Sequence, residues 1–444
     1  MRRSRPALGP LALALASLPA LALAQQAPPA APAPEAKQEE KKPEKPPRWT
    51  AVRAGEVYTV THGVLRDVTI LAKDGRITAI ARDLKLPDKT EVIDASARRV
   101  YPGLVAYNSF GIVGSPPQDA TDVFSLNMVL ALSQGITSVG FGETVAKLTY
   151  GTLEGHVLGQ RTPVLNLTLR SAQMKARLRD DLDKVRDYQR EVRAHKRRLA
   201  EGDTKSQPPK PLTGRQAGYL KLLEGELWAH VRADEARDLA EVCDLAEVYG
   251  FKVMIEGAAE GWTMAGRLGR LGCRAIVSPR DRRPEDPSTN RPNGWSIENA
   301  AILHKSGVPV VLMSEQAGVG LWGLAGRDLF TLPLEGAFAV RGGLPAAEAL
   351  KALTLNPARF MGVDDQIGSI EVGKDMDLVV TSGDLLHYRT LPELTIVNGR
   401  VAYDRSKDSL LRAVPAPGKE PELPVLWPRR PGSKEPEMPK AERD

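Results

Sequence analysis

Cysteine is scarce in this sequence, which holds only Cys243 and Cys273 among its 444 residues. No C-x-x-C pair is present, so neither a zinc knuckle nor a thioredoxin-type redox site is indicated. Cys243 lies on a predicted helix and Cys273 at the start of a predicted strand. The sequence leaves two states open, a disulfide formed in an oxidising compartment or two buried free thiols.

A strong charge of one sign is also missing. The formal net charge is +6, and it falls to 6 − 3 = +3 if a segment carrying Arg2, Arg3 and Arg5 is removed. Aromatic residues make up 5% of the chain, and no basic stripe is interleaved with them. We therefore expect no nucleic-acid partner.

Apolar runs long enough to cross a membrane are absent, since the longest, residues 11–23, is short and contains Pro19. A basic start precedes this run, and the small-x-small triplet Ala22-Leu23-Ala24 follows it. This pattern predicts a secretory signal over residues 1–24. We expect a periplasmic or secreted protein without a membrane span after cleavage.

The remaining chain divides by composition. Residues 25–48 are rich in Pro, Ala, Lys and Glu and predict a disordered linker, and residues 413–444 predict a disordered tail. Short β-type runs fill residues 49–103, with Asp74-Gly75 as a hairpin turn. From Leu104 strands and helices alternate, which indicates βα units around a parallel sheet.

Three stretches carry a resemblance to a known family. They are "VYPGLVAYNSFG" at 100–111, "KALTLNPARFMGVDDQIGSIEVGKDMDLVV" at 351–380 and "IVNGRV" at 396–401. These resemble the first barrel strand, the last barrel segment and the final hairpin of the amidohydrolase superfamily, metal-dependent and imidazolonepropionase-like hydrolases. The resemblance implies a TIM-like (β/α)8 barrel over residues 104–367. It also implies a small β-sandwich built from residues 49–103 and 368–412.

The resemblance implies a metal site that this sequence does not supply. The family binds zinc or another divalent metal through H-x-H on strand 1, His on strands 5 and 6, and Asp on strand 8. Those positions here hold Asn108 and Phe110, then Arg232, Gly257 and Glu315. Imidazole and carboxylate donors suit such a cation, whereas amide, phenyl and guanidinium groups do not. We therefore expect no metal cofactor.

Other polar residues at the same strand ends could still form a pocket. His230 precedes Arg232 by two residues, so both point to one face of a strand. A lone inward histidine is more often a hydrogen-bonded core residue than a ligand, yet His230 and Glu315 are the candidate catalytic groups. The predicted pocket residues are Asn108, Phe110, Arg232, Glu256, Gly257, Glu260 and Glu315. We also expect Arg232 and Glu315 to form an ion pair.

Three functions remain open from sequence. The first is a non-catalytic relative that binds a small-molecule ligand, or that forms a homo-oligomer or a hetero-oligomer with an intact amidohydrolase. The second is an active hydrolase of non-peptide C–N bonds with a rearranged or metal-free site. The third is an envelope-associated structural protein whose Pro/Lys tails bind partners.

Overall fold

The computed structural model describes residues 46–319 and 327–414. The strands are β1 (Trp49–Tyr58), β2 (Val64–Lys73), β3 (Arg76–Ala81), β4 (Glu91–Pro102), β5 (Leu104–Ala106), β6 (Ile136–Phe141), β7 (Thr144–Lys147), β8 (Val157–Gln160), β9 (Val164–Leu167), β10 (Trp228–Ala233), β11 (Val253–Gly257), β12 (Arg274–Val277), β13 (Val310–Leu312), β14 (Leu378–Thr381), β15 (Leu394–Val397) and β16 (Arg400–Asp404). The helices are α1 (Pro117–Ala120), α2 (Leu126–Ser133), α3 (Ala172–Ala200), α4 (Arg215–Leu223), α5 (Ala236–Tyr249), α6 (Ala265–Arg270), α7 (Asn299–Lys305), α8 (Leu332–Arg341), α9 (Ala346–Leu353) and α10 (Leu355–Met361).

Strands from both ends of the described chain share one sheet. Its order is β16-β15-β14-β4-β1-β2-β3. Strand β4 joins the two halves, because it pairs in parallel with β1 and, through its last residues, antiparallel with β14. The sandwich predicted from the resemblance differs from this arrangement, since β4 makes the two sets of strands one continuous hydrogen-bonded sheet. Val52, Ile70 and Leu378 are among the buried residues of its separate apolar core.

The parallel strands lie in two further sheets. One has the order β5-β6-β7-β8, and the other has the order β13-β12-β11-β10-β9 with every neighbouring pair parallel. The predicted closed eight-stranded barrel is not formed by the described residues. The ladder is interrupted because β7 and β8 run antiparallel after β6, so no parallel pairing continues from β6 to β9. The two sheets still meet at their carboxyl ends, where Phe110 N–H donates to Ala317 O at 2.9 Å.

The helices cover these sheets through apolar faces. In α5 the buried residues Leu239, Val242, Cys243 and Ala246 recur every three or four positions, which places them on one stripe. Each fully buried aliphatic side chain contributes about 1.5–3 kcal/mol. The helix ends at Gly250, whose φ of +78° is the left-handed conformation that closes helices without a Cβ penalty.

A buried lysine links the seven-stranded sheet to the sheet formed by β5, β6, β7 and β8. Lys147, at the end of β7, is 1% exposed. Its Nζ lies 2.6 Å from Asp375 Oδ2, 2.9 Å from Asp377 Oδ2 and 2.6 Å from Asn398 Oδ1. Burial raises the pKa of Asp377, and the Lys147 ammonium opposes that rise. Asp377 has Lys147 as its ion-pair partner in the described part of the chain, whereas Asp375 also lies 3.8 Å from Arg76 Nε, so Asp377 is the carboxylate that depends most on Lys147.

Three further expectations concern the termini and the cysteines. The predicted signal, residues 25–45 of the predicted linker and residues 415–444 of the predicted tail lie outside the described residues. Both cysteines are free and buried, so the thiol alternative is the observed one. Within the described ranges, every helix is too short or too polar to serve as a membrane span.

Candidate active site

The carboxyl ends of β10 and β11 bring three predicted residues together. His230 and Arg232 project from the same face of β10, and Arg232 lies opposite Glu256 in the parallel register. Glu256 Oε1 is 3.8 Å from Arg232 Nη1, and Glu256 Oε2 is 3.2 Å from His230 Nε2. The alternation of side chains along adjacent strands therefore produces a His–Glu–Arg group.

A fourth residue orients the histidine. Asn166 lies opposite His230 on β9, and its Oδ1 is hydrogen-bonded to His230 Nδ1 at 2.9 Å. The Nε2 of His230 is buried and meets Glu256 at an angle outside good hydrogen-bond geometry. The neighbouring imidazole and, more weakly, Arg232 and Arg161 hold the pKa of Glu256 below its ordinary value despite burial. Glu256 is therefore a carboxylate at neutral pH.

Asn108 and Arg161 form the adjoining wall. Arg161 Nη1 donates to Asn108 Oδ1 at 3.1 Å and to Gly142 O at 3.4 Å. The guanidinium lies 4.3 Å from the centre of the Tyr107 ring, which in turn lies parallel to the His230 ring at 6.4 Å. An amide, a carbonyl and a ring face thus position Arg161 without neutralising it.

Cations outnumber anions in this wall. Arg161 and Arg232 lie near the carboxylate of Glu256. The Arg232 side chain is 62% exposed, and its Nη1 is 3.8 Å from Glu256 Oε1. Across residues 46–319 and 327–414, no carboxylate oxygen lies within 4.0 Å of the half-buried Arg161. Within these ranges the strand ends therefore carry a guanidinium, that of Arg161, which is hydrogen-bonded to neutral groups and has no carboxylate partner.

Position 257, at the end of β11, has no room for a side chain. Its φ is +98°, and a Cβ built there would lie 2.0 Å from Asp234 Oδ1. Asp234 pairs with Arg283 at 2.9 Å, while its Oδ1 is buried and finds no hydrogen-bond partner among the residues that the structure describes. Burial raises the pKa of Asp234, an effect that Arg283 and Arg232 oppose. The carboxylate thus fills the space that a side chain at position 257 needs.

The Glu260 carboxylate is fully engaged in hydrogen bonds that hold a loop. Its carboxylate accepts from Ala236 N–H and Gly294 N–H at 2.8 Å each and from Arg291 Nη1 at 2.9 Å. Burial alone would raise the pKa of Glu260, but these hydrogen bonds outweigh it and lower the pKa below its ordinary value. Glu260, which follows β11, thus links the start of α5 to the 279–294 loop.

Phe110 and Glu315 lie at another part of the rim. Phe110 is 59% exposed, and its ring sits against Gly318. Glu315 pairs with Arg327 at 3.0 Å. The predicted Arg232–Glu315 ion pair is wrong, because Arg232 contacts Glu256 and Glu315 has its own arginine twelve residues along the chain.

The donor set does not fit a divalent metal. The described part of the chain contains no group of three or more His, Cys, Asp or Glu side chains placed to hold such an ion. His230 and Glu256 converge, but Arg232 and Arg161 stand where further anionic or neutral donors are needed. We therefore assign no reaction step to a metal at this site.

Sequence reasoning missed Arg161, Asn166 and Asp234. Asn166 could have been found, since it is a polar residue within the apolar run Val164–Leu167. Asp234 continues the inward alternation of His230 and Arg232 by two residues. Arg161 lies between β8 and β9, and no local pattern distinguishes it from other surface arginines.

Known proteins resemble this chain in sequence. The sequence model of the Amidohydrolase family matches residues 281–405. Urease subunit alpha 2 of Streptomyces coelicolor is 34% identical over 138 residues, 29% of this chain and 24% of the urease subunit. The chain thus spans about a quarter of that relative's length. Imidazolonepropionase of Symbiobacterium thermophilum is 24% identical over 74% of this chain and 90% of that enzyme.

The fold has solved counterparts. An amidohydrolase from Thermotoga maritima MSB8 superposes with a TM-score of 0.62 at 22% identity, covering 80% of this chain and all of that one. At that identity the likeness concerns the α/β, TIM-barrel-like fold alone. This chain is therefore similar to amidohydrolases in part of its sequence and shares their α/β, TIM-barrel-like fold.

Proposed function

We propose that this chain is an amidohydrolase-fold protein whose strand-end site binds a small anionic molecule instead of a divalent metal. The observation that carries the proposal is the Arg161 guanidinium, held in place by Asn108 and the Tyr107 ring and lacking a carboxylate partner within the described ranges. The bound anion would replace the metal as the charge that balances the site.

Electrostatics favours an anion at this point. A half-buried arginine has lost part of its hydration, and a partner of opposite charge restores that interaction. Arg232 adds a second cation that is 62% exposed and only 3.8 Å from its carboxylate, so it can turn toward a ligand at small cost. The planar guanidinium fork suits carboxylate and phosphate oxygens.

The two guanidinium groups therefore predict that the ligand of this site is a small molecule with a carboxylate or phosphate group. Its anionic group would contact Arg161, and a polar group on the same molecule would reach His230 and Glu256. Glu256, ionised at neutral pH, would accept a hydrogen bond from that group and would disfavour a second negative charge there.

Isothermal titration calorimetry with paired probes tests the proposal. Butyrate and butyramide have similar size, so a charge-reading site should bind the carboxylate and ignore the amide. Arg161→Met should weaken butyrate binding by about tenfold or more, since it removes a charge-assisted contact. Arg341→Met, which removes an exposed cation from the end of α8, serves as the matched control and should leave binding unchanged. Equal binding of acid and amide, or unchanged binding in Arg161→Met, would contradict the proposal.

A second candidate function is hydrolysis of small amides or lactams without a metal. The observation that favours it is the His230–Glu256 contact at 3.2 Å, backed by Asn166, because an oriented imidazole beside a carboxylate can transfer protons. Hydrolysis in the presence of a chelator should then disappear in His230→Asn. If the unaltered chain hydrolyses these substrates no faster than buffer alone, this candidate function is excluded.

We further propose export of the chain, on the strength of residues 1–24 alone. Expression of the full chain in a Gram-negative host should yield a product in the periplasmic or culture fraction. Mass spectrometry should find its N-terminus at Gln25. Retention of the intact chain in the cytoplasm would count against export.

A further inference from the structure

A surface groove lined by apolar side chains lies between α2 and β16, the edge strand of the seven-stranded sheet. We call it the α2 groove and define it by Leu126, Val129, Tyr150, Val401 and Leu410, which line a cavity of about 420 Å³. Leu126 is 48% exposed and Leu410 is 55% exposed. These residues come from four separate parts of the chain, so the groove is a product of the tertiary fold.

The apolar surface continues beyond the cavity. Phe124 is 65% exposed, and its ring meets the Tyr150 ring edge-on at 5.6 Å between centroids. Scattered single exposed hydrophobic residues are ordinary, but contiguous ones mark surfaces that bind another apolar group. Two aromatic residues, Tyr150 and Tyr403, line the groove, and aromatic linings suit an extended proline-containing segment.

We propose that the α2 groove binds residues 423–427 of the same chain, the segment Leu-Pro-Val-Leu-Trp of the C-terminal tail. This run is the longest apolar stretch within residues 415–444. Residues 25–45 at the other end contain no Leu, Ile, Val, Met or aromatic residue and cannot supply such an occupant. The inference is independent of the proposed anion site.

The chain geometry allows the contact. Leu410 lines the groove, and Val414, the last described residue before the tail, follows it by four positions. Eight residues then lie between Val414 and Leu423, and the nine Cα–Cα steps that they create span up to about 30 Å when extended. A tether of this length holds the segment at an effective concentration on the order of millimolar.

Charge and backbone preference agree with this occupant. Pro424 and Pro428 bias the segment toward the extended polyproline conformation, which lowers the entropy lost on binding. Arg429 and Arg430 follow directly, and the groove lining holds two carboxylates, Asp404 and Asp408, and one ammonium, Lys407, which pairs with Asp404 at 3.1 Å. The segment thus offers apolar side chains to the groove and cations to a lining in which carboxylates exceed ammonium groups by one.

Cross-linking in the full chain tests the contact. Val401→Cys in the groove is combined with Val425→Cys in the tail, and a short bis-maleimide joins thiols that lie close together. The native Cys243 and Cys273 are buried, and burial raises their pKa to about 11 and about 12, so they should not compete. The matched control joins Val425→Cys to Val372→Cys, another exposed valine at 62%.

The proposal predicts an intramolecular cross-link for the Val401 pair that forms about tenfold faster than for the Val372 pair. Adding Leu423→Ser, Leu426→Ser and Trp427→Ser should reduce the rate to that of the control. Equal rates for both pairs would overturn the proposal, as would a rate unchanged by the serine variants. Predominantly intermolecular cross-links would also overturn it, since they assign the groove to a second copy of the chain.

Discussion

Replacement of Gly257 by alanine tests whether position 257, at the end of β11, can hold a side chain. Two costs add in this variant. An alanine at φ +98° leaves the region that L-residues prefer, which costs about 1–2 kcal/mol. Its Cβ would also stand 2.0 Å from Asp234 Oδ1, so the partly buried Asp234–Arg283 pair must move, at about 1–3 kcal/mol. The expected loss in the free energy of unfolding is about 2–5 kcal/mol.

The chain offers a control that isolates the steric part. Gly250 also has positive φ, +78°, but nothing lies within 4 Å of a Cβ built there. Gly250→Ala should therefore cost only the backbone term, about 1–2 kcal/mol. Urea unfolding followed by circular dichroism measures both variants, with the slope m checked for constancy.

A double-mutant cycle then identifies the opposing group. In an Asp234→Ala background the space beside Gly257 is open, so the added cost of Gly257→Ala should fall toward that of Gly250→Ala. If Gly257→Ala costs no more than Gly250→Ala in the unaltered background, or if the cycle shows no coupling, the steric account of position 257 is refuted.

Two further predictions concern buried charges. Glu260→Gln should lower stability by about 1–3 kcal/mol at neutral pH and speed hydrogen exchange of the 279–294 loop, because its bond to Arg291 loses the negative charge. The pKa of Glu260 is lowered on folding, so its contribution is present above the ordinary value of 4.5 and is lost as pH falls through the folded value; a difference from Glu260→Gln that persists unchanged at pH 2 would contradict this. Lys147→Met should cost about 3–5 kcal/mol by leaving Asp377 buried without its cation. Lys184→Met, at an exposed i,i+4 pair, is the control and should leave the urea midpoint unchanged, whereas equal effects of the two lysines would contradict the assigned role.

Local patterns predicted the secondary structure where one face of an element is apolar. The sequence places a helix over residues 234–249 with Gly250 as its end, and the structure has α5 at Ala236–Tyr249. The hairpin of β7 and β8 escaped prediction because both strands are short and their pairing competes with the expected parallel order. The antiparallel pairing depends on contacts with β6, which no window of sequence contains.

The site was predictable only along single strands. Alternation placed His230 and Arg232 on one face, and the structure adds Glu256 opposite them through the parallel register. The partner of Arg232 could not be inferred, since it depends on side-chain reach between neighbouring strands and on Arg327 taking Glu315. The resemblance gave the expected ligand positions but not the side chains that surround them.

Metal analysis tests the central claim, that the strand ends form an anion site unsuited to a divalent metal, most directly. The purified full chain is dialysed against zinc-containing buffer and then against metal-free buffer, and its zinc is measured by mass spectrometry. The account predicts less than about 0.1 equivalent, since His230 and Glu256 alone do not complete a zinc site. Close to one equivalent that is retained by the unaltered chain and lost in a His230→Asn variant would contradict the account.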